Sequence, residues 1–227
     1  MLDRSLLDRL PRQLLSRGAR FKPAVFRIEL AGGPAVLKDC SGIPALTRPL
    51  ARWLLARERR AIERLAGLEG FPQLLARVDA DALLIGVLPG RAMHGEVFGD
   101  DPRRWAAALR ERVRAMHERG VFHLDLRQPQ NLLADDARGL AVVDFGAAFA
   151  PGPIGRRLFG RLLAWVDRQA VLKYLARFAP GEMGEAEARS YLRGLFWRRL
   201  WIFSPHRNRG AEQAVRRRLQ DLSADDR

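Results

Sequence analysis

Cysteine is almost absent from the 227-residue chain, in which Cys40 is the only one. A single cysteine excludes an intrachain disulfide and indicates a reducing compartment. There is also no run of about 18 apolar residues, the length needed to cross a bilayer as a helix. The N-terminal residues alternate charged side chains with leucine and lack the apolar core of a signal peptide. We therefore expect a cytoplasmic protein.

Lysine is scarce as well, because only Lys22, Lys38 and Lys173 occur among 40 basic residues. The 26 acidic residues leave a formal net charge of +14. Such an excess favours an anionic partner, namely nucleic acid, anionic lipid or a phosphorylated substrate. The chain has no zinc-ligand spacing, aromatic RNA-binding motif or helix-turn-helix signature. We therefore do not expect nucleic acid as the partner.

Residues 121–146 carry the strongest chemical signal. Asp125 and Asp144 each end a short apolar run, and Asn131 lies between them. The stretch M-H-E-R-G-V-F-H leads into this segment, and D-F-G ends it. Together these motifs resemble the helix end, catalytic loop and D-F-G segment of protein kinase-like phosphotransferases. The resemblance implies that Asp125 orients an acceptor hydroxyl, whereas Asn131 and Asp144 hold Mg²⁺.

The candidate loop departs from the kinase pattern. Asp125 and Asn131 are six residues apart, where kinases space this pair about five apart. Either the extra residue bulges outward, or Gln130 replaces Asn131 as the metal ligand. Leu124 replaces the usual arginine, so we do not expect activation by phosphorylation of a loop. Arg127 stands where many protein kinases carry a lysine that neutralises the transferred phosphate, which makes it a further catalytic candidate.

Two β-prone runs near the N-terminus predict a hairpin. Residues 24–30 and 35–38 flank an A-G-G-P turn. The second run ends A-V-L-K and resembles the kinase strand that presents the nucleotide-binding lysine, which implies that Lys38 binds ATP phosphates. No G-x-G-x-x-G motif precedes it. Residues 16–19, S-R-G-A, are the candidate for a reduced phosphate-covering loop.

A helical pattern over residues 48–68 follows the hairpin. Its segment E-R-R-A-I-E-R-L resembles the kinase helix whose glutamate pairs with the strand lysine. Glu58 takes the partner position, and Glu63 is the runner-up. The later run L-I-G-V-L-P-G resembles the hinge that binds adenine, with Ile85 as gate and hinge backbone at Gly86, Val87 and Leu88. ATP and Mg²⁺ are the implied cofactors.

Helices are predicted for most of the remaining chain. Asp101-Pro102 begins one that points Trp105, Leu109, Val113 and Met116 to the core. After a loop at residues 152–155, residues 157–179 and 185–203 have helical patterns. No convincing A-P-E motif is present, so we expect no full activation segment or peptide platform.

Basic residues alternate with large apolar residues in this last part of the chain. Two interpretations remain open: the apolar side chains complete a core, or they contact an anionic membrane beside the cations. Trp197 and Trp201 are the discriminating residues, since they lie four apart on one helical face. The other members are Arg156, Arg157, Leu158, Phe159, Arg161, Leu162, Leu163, Trp165, Val166, Arg168, Leu172, Lys173 and Arg177.

We therefore predict an α+β, bilobal protein kinase-like fold. Residues 1–88 would form a small β-sheet N-lobe, and residues 89–227 a truncated, mainly helical C-lobe. The nearest resemblance is to bacterial lipopolysaccharide-core (Kdo/heptose) kinases and the RIO-like group. It implies transfer of the ATP γ-phosphoryl group to a lipid-linked saccharide hydroxyl, with peripheral attachment to the inner face of the cytoplasmic membrane. The alternatives are a protein serine/threonine kinase, an aminoglycoside-kinase-like enzyme, a pseudokinase scaffold and a nucleic-acid-binding protein.

Overall fold

The computed structural model describes residues 4–199 and 209–225. Its architecture is α+β, as predicted, with a five-stranded antiparallel sheet and several helices, consistent with a bilobal kinase-like fold. The strand order in this sheet is β1-β2-β3-β5-β4. The elements of this part are α1 (Arg4–Arg9), β1 (Arg12–Ser16), β2 (Ala24–Leu30), β3 (Gly33–Asp39), α2 (Arg48–Arg64), β4 (Leu74–Arg77) and β5 (Ala82–Gly86).

Helices dominate the rest of the described chain. A small antiparallel sheet of three strands, in the order β6-β7-β8, lies among them. Short 3₁₀ turns occur at Pro129–Asn131, Phe145–Ala147 and Pro180–Glu182. The elements are β6 (Arg91–Ala92), α3 (Gly95–Asp100), α4 (Pro102–Glu118), β7 (Leu132–Asp135), β8 (Gly139–Val142), α5 (Pro153–Phe178), α6 (Glu185–Arg199) and α7 (Arg209–Asp225).

The predicted N-terminal hairpin is confirmed, but β3 begins earlier than expected. Leu30 pairs with Gly33, so the turn is confined to two residues. Gly33 has a φ of 113°, a conformation that favours glycine. Helix α2 in turn ends at Arg64 rather than at residue 68, and Gly67 with a φ of 79° stops its continuation.

Side chains of the large sheet alternate between two apolar clusters, as a strand period of two requires. Ala35 and Leu37 of β3 pack with Leu84 of β5 and with Leu7 of α1. This contact docks the N-terminal helix onto the sheet. Ile85 faces the opposite side, in the main core. That core contains residues from both sides of the predicted 88/89 boundary, and the division into two domains stays a prediction.

Helix α4 is built as predicted. The Asp101 side chain accepts a hydrogen bond from the Arg104 backbone N–H at 3.0 Å and so caps the helix. The four residues expected to face the core, Trp105, Leu109, Val113 and Met116, are all buried. The helix therefore delivers the chain to residue 121 from a fixed position.

The first turns of α5 differ most from the prediction. The helix begins at Pro153, so the expected loop at residues 152–155 is mostly helical, with proline in the first turn where it is tolerated. Several large side chains there are exposed rather than in the core. Their exposed fractions are 77% for Ile154, 67% for Leu158, 53% for Phe159, 60% for Leu162 and 42% for Trp165.

We call these five residues the α5 stripe. The core interpretation is thus wrong for them, although Leu172 further along the helix is buried. The Trp197 side chain and all of Trp201 lie outside the described residues. Within the described residues, no helix has both the length and the apolar character needed to span a bilayer.

Candidate active site

Lys38 occupies the centre of the candidate site. Its Nζ lies 2.6 Å from Glu58 Oε1 on α2 and 2.8 Å from Asp144 Oδ1. Only 9% of Lys38 and 3% of Glu58 are exposed. Glu63 pairs instead with Arg59 on the surface of α2. The predicted ion pair between Lys38 and Glu58 is therefore present, and the runner-up is excluded as its partner.

The protonation of Lys38 is set by two opposing effects. Burial alone would lower the pKa of the ammonium group, but the charges of Glu58 and Asp144 outweigh burial and raise that pKa above its ordinary value. Partial desolvation by the surrounding protein would raise the pKa of Asp144, yet Lys38 dominates and holds that pKa below its usual range. Near neutral pH the site therefore contains a charged lysine between acidic groups.

Asp144 is held in a backbone conformation that few residues adopt. Its φ is 61°, in the left-handed region. Phe145, which follows it, is fully buried and packs edge-on against His123 with ring centroids 4.8 Å apart. Arg57 of α2 donates a hydrogen bond to the Gly146 carbonyl oxygen at 3.1 Å. These contacts fix the D-F-G segment beside the helix that carries Glu58.

The loop between Asp125 and Asn131 ends in the 3₁₀ turn Pro129–Asn131. Asn131 is buried, and its Nδ2 donates to the Asp125 carbonyl oxygen at 2.9 Å and lies 3.4 Å from Asp125 Oδ2. Gln130 is exposed. The geometry therefore places Asn131, not Gln130, against Asp125.

His123 connects the two acidic segments. Its Nε2 lies 3.0 Å from the Val143 carbonyl oxygen, which can only accept, so Nε2 carries the proton. Nδ1 then accepts a bond from the Asp125 backbone N–H at 3.3 Å. Because the ring is fully buried, desolvation lowers the pKa of His123. The neutral imidazole thus joins the backbone before Asp144 to the backbone of Asp125.

Asp167 anchors this loop, and sequence reasoning missed it. Its Oδ2 accepts bonds from the His123 backbone N–H and from His117 Nε2, each at 2.9 Å. Its Oδ1 accepts from the Leu124 backbone N–H at 2.7 Å. Leu124 has a φ of 65°, which a non-glycine residue rarely adopts without support. An acidic residue inside the apolar run L-L-A-W-V-D was the available signal.

Arg127 is exposed on the same loop. Its backbone carbonyl oxygen is held from α5, by Lys173 Nζ at 3.1 Å and Tyr174 Oη at 3.4 Å. The predicted role of Arg127 as a phosphate-neutralising residue remains a prediction.

The predicted gate and hinge lie on and after β5, the strand that pairs with the lysine-bearing strand β3. Ile85 is buried on β5, opposite Val36 of the lysine-bearing strand β3. The segment from Gly86 to Leu88 is half-buried where β5 ends. Its assignment as the adenine-binding hinge remains a prediction.

Residues 16–19 lie at the end of β1 and begin the connection to β2. Gly18 has a φ of 72°, and a Cβ there would lie 2.5 Å from the Lys22 carbonyl oxygen. A reciprocal pair of hydrogen bonds between Ala19 and Lys22 closes the turn. The loop is tight and needs glycine, although it lacks the full glycine-rich motif.

The donor set fits Mg²⁺. Within the described residues, no group of three His, Cys, Asp or Glu side chains is placed to hold a metal ion. Mg²⁺ commonly uses one or two protein oxygens and completes its shell with phosphates and water. The Asp144 side chain is 60% exposed, and Asn131 uses its amide nitrogen for Asp125, which leaves its oxygen for a metal. These two oxygens would hold the ion.

Comparisons with known proteins point to protein kinases over part of the chain. The putative CBL-interacting protein kinase 13 of Oryza sativa subsp. japonica is 46% identical over 68 residues, which are 30% of this chain and 13% of that protein. CBL-interacting protein kinases 12 and 19 of the same plant are 44% and 46% identical over 66 and 61 residues. Those matches cover 29% and 27% of this chain, and 12% of each kinase.

The matched segment thus spans about an eighth of these curated relatives. No protein-family model matches the chain. The local identity supports a relationship to the protein kinase-like superfamily. It does not support the expected lipopolysaccharide-kinase or RIO-like subgroup.

Proposed function

We propose that the chain is an ATP-dependent phosphotransferase that acts on a hydroxyl group. The observation that carries this proposal is the buried Lys38 ammonium held between Glu58 and Asp144. A buried charge of this kind is costly unless its partners compensate it. A lysine fixed by one acidic partner and close to a second is suited to bind phosphate beside a metal.

Each remaining residue then has a role in transfer. Lys38 binds the ATP phosphates, and Asp144 and Asn131 hold Mg²⁺, which would neutralise phosphate charge. Asp125 orients the acceptor and receives its proton as the acceptor oxygen bonds to the γ-phosphorus. The bond from that phosphorus to the β,γ-bridging oxygen breaks, and ADP leaves. Positioning and charge neutralisation account for most of the catalysis in such reactions.

A serine or threonine hydroxyl of a protein is the acceptor that we propose first. The support is the local identity to CBL-interacting protein kinases, which are named as protein kinases. Because the match covers only 30% of this chain, the substrate is a proposal for this chain and does not follow from the identity alone.

A lipid-linked saccharide at an anionic membrane is the second candidate acceptor. Two observations favour it. Only residues 148–152 separate the 3₁₀ turn after Asp144 from α5, which leaves little chain for a peptide platform. The α5 stripe is exposed, and residues 153–166 carry arginines but no acidic residue. An apolar helix face flanked by cations is typical of interfacial helices on anionic bilayers.

One transfer experiment separates these acceptors. The purified chain is incubated with γ-labelled ATP and Mg²⁺ in three arms: a serine- and threonine-rich protein mixture, a cell-envelope lipid extract, and no acceptor. We expect label on protein hydroxyls, identified by mass spectrometry, and none with Asp144→Asn. Label in the lipid arm alone would favour the saccharide as the acceptor instead of a protein hydroxyl. No label in any arm would contradict phosphotransferase activity.

Vesicle sedimentation tests the membrane candidate independently of activity. If the α5 stripe is an interfacial helix, the chain sediments with phosphatidylglycerol vesicles at physiological salt but not with neutral vesicles. Replacing Leu158 and Leu162 by serine removes exposed apolar area without entering the core and should abolish sedimentation. The chain remaining in the supernatant with both vesicle types would refute the membrane candidate.

A further inference from the structure

A cavity of about 640 Å³ lies between α4, α5 and α6. None of Lys38, Asp125, Asn131 and Asp144 lines it. Its volume is within the range of about 300–1,000 Å³ that is usual for small-molecule sites. The cavity is therefore large enough to enclose a compact organic molecule.

The arginines in the wall of this cavity differ in their hydrogen-bond partners. Arg110 forms a two-bonded pair with Glu187 at 2.8 and 2.7 Å, and Arg114 pairs with Glu118 at 2.7 Å. In the part of the chain that the structure describes, Arg156 and Arg168 each donate a hydrogen bond to a backbone carbonyl oxygen at 3.4 Å. Within residues 4–199 and 209–225, no carboxylate lies at salt-bridge distance from either of these two arginines.

The rest of the lining is mostly apolar. Val113 of α4 faces Val171 and Leu172 of α5, and Trp165 contributes an indole that is 42% exposed. An aromatic ring can stack on the indole and bury apolar area against the aliphatic side chains. A guanidinium, in turn, matches a carboxylate in both plane and spacing.

We propose that this cavity is a binding site for a compact aromatic carboxylate. The carboxylate binds Arg168, which has no acidic partner among the described residues and whose Nε lies 3.4 Å from the Ala164 carbonyl oxygen, next to Trp165. The aromatic body lies against Trp165 and the apolar wall. A neutral or cationic molecule of the same shape fits the wall equally well but leaves the Arg168 guanidinium without a counter-charge.

The site is connected to the catalytic loop through one residue of its wall. His117 lines the cavity, and its Nε2 lies 2.9 Å from Asp167 Oδ2. The same oxygen accepts the His123 backbone N–H. A ligand that moves His117 therefore acts on the carboxylate that positions the residues before Asp125.

Titration calorimetry with 2-naphthoate tests the proposal on the full chain and needs no kinase activity. The matched probes are 2-naphthylmethanol, which is neutral, and 2-naphthylmethylammonium, which is cationic. We expect saturable binding with one site for 2-naphthoate and at least about fivefold weaker binding of the other two, since a partly exposed ion pair contributes roughly 1 kcal/mol.

Variants locate the bound probe. Arg168→Gln should weaken 2-naphthoate binding by about threefold or more. Arg161→Gln is the matched control, because Arg161 is exposed on the same helix and does not line the cavity. Ala186→Trp places a bulky side chain in the cavity from its exposed edge and should abolish binding.

Three outcomes would overturn the proposal. Absence of saturable binding refutes the site, and equal affinity for all three probes refutes the selection for an anion. A loss of affinity in Arg161→Gln, or in the Leu158→Ser, Leu162→Ser double variant, that equals the loss in Arg168→Gln would place the probe outside the cavity, on the exposed face of α5 around Leu158 and Leu162.

Discussion

Asp167→Asn is the substitution that most directly tests how the catalytic loop is held. The carboxylate receives backbone N–H groups on both oxygens, from His123 at 2.9 Å and from Leu124 at 2.7 Å. An amide has one oxygen and one NH₂, so whichever way it turns, one of these donors faces another donor. The loss of one hydrogen bond to a charged group costs about 1.5–3 kcal/mol. We expect the free energy of unfolding to fall by that amount.

Urea unfolding at constant pH measures this loss. Asp136→Asn makes the same chemical change at a side chain that is 81% exposed, and should alter the free energy of unfolding by no more than about 0.5 kcal/mol. If Asp167→Asn were as stable as the Asp136→Asn control, the carboxylate would not anchor the loop, and our account of the left-handed Leu124 would be wrong.

Three further predictions concern the site itself. Lys38→Met leaves a buried carboxylate without its cation and should lower the free energy of unfolding by about 3–5 kcal/mol in urea, whereas exposed Lys22→Met should not. Asp144→Asn should abolish Mg²⁺-dependent ATP binding in equilibrium dialysis. Asp125→Asn should retain ATP binding but slow phosphoryl transfer by about 10²–10⁴-fold. Equal effects of the two substitutions would contradict the separate roles of the two residues. Burial lowers the pKa of His123 in the folded chain. In the unfolded chain this histidine has a pKa of about 6.5, so below that pH it binds a proton more readily when the chain is unfolded. The free energy of unfolding should thus fall between pH 7 and 5, by at most about 1.4 kcal/mol per pH unit for this group, and His123→Gln should flatten that dependence.

The sequence predicted contacts that follow from short-range periodicity. The run A-V-L-K predicted that Lys38 lies on a strand. The helical pattern predicted that Glu58 and Glu63 point about 140° apart around one helix, because they are five residues apart and a helix has 3.6 residues per turn. Only one of them could therefore reach the lysine. The structure agrees, with Glu58 at 2.6 Å.

Other features depend on packing that periodicity does not encode. The choice between Gln130 and Asn131 depended on how the loop folds, because Asn131 is buried against Asp125 whereas Gln130 is exposed. Asp167 accepts hydrogen bonds from backbone N–H groups 43 and 44 positions earlier in the chain. These contacts exist because α5 packs against the loop, which the local sequence pattern does not predict. The sequence did not decide whether the α5 stripe is buried or exposed, because apolar residues have the same helical spacing on a core-facing helix and on a membrane-facing one.

The central claim is that Lys38, Asp144, Asn131 and Asp125 form one phosphoryl-transfer site. A crystal structure of the chain with Mg²⁺ and a non-hydrolysable ATP analogue tests it most directly. We predict phosphate oxygens at about 3 Å from Lys38 Nζ, the metal on the oxygens of Asp144 and Asn131, and the γ-phosphate facing Asp125. A nucleotide bound elsewhere, or one that leaves Lys38 and Asp144 in contact only with each other, would contradict the account.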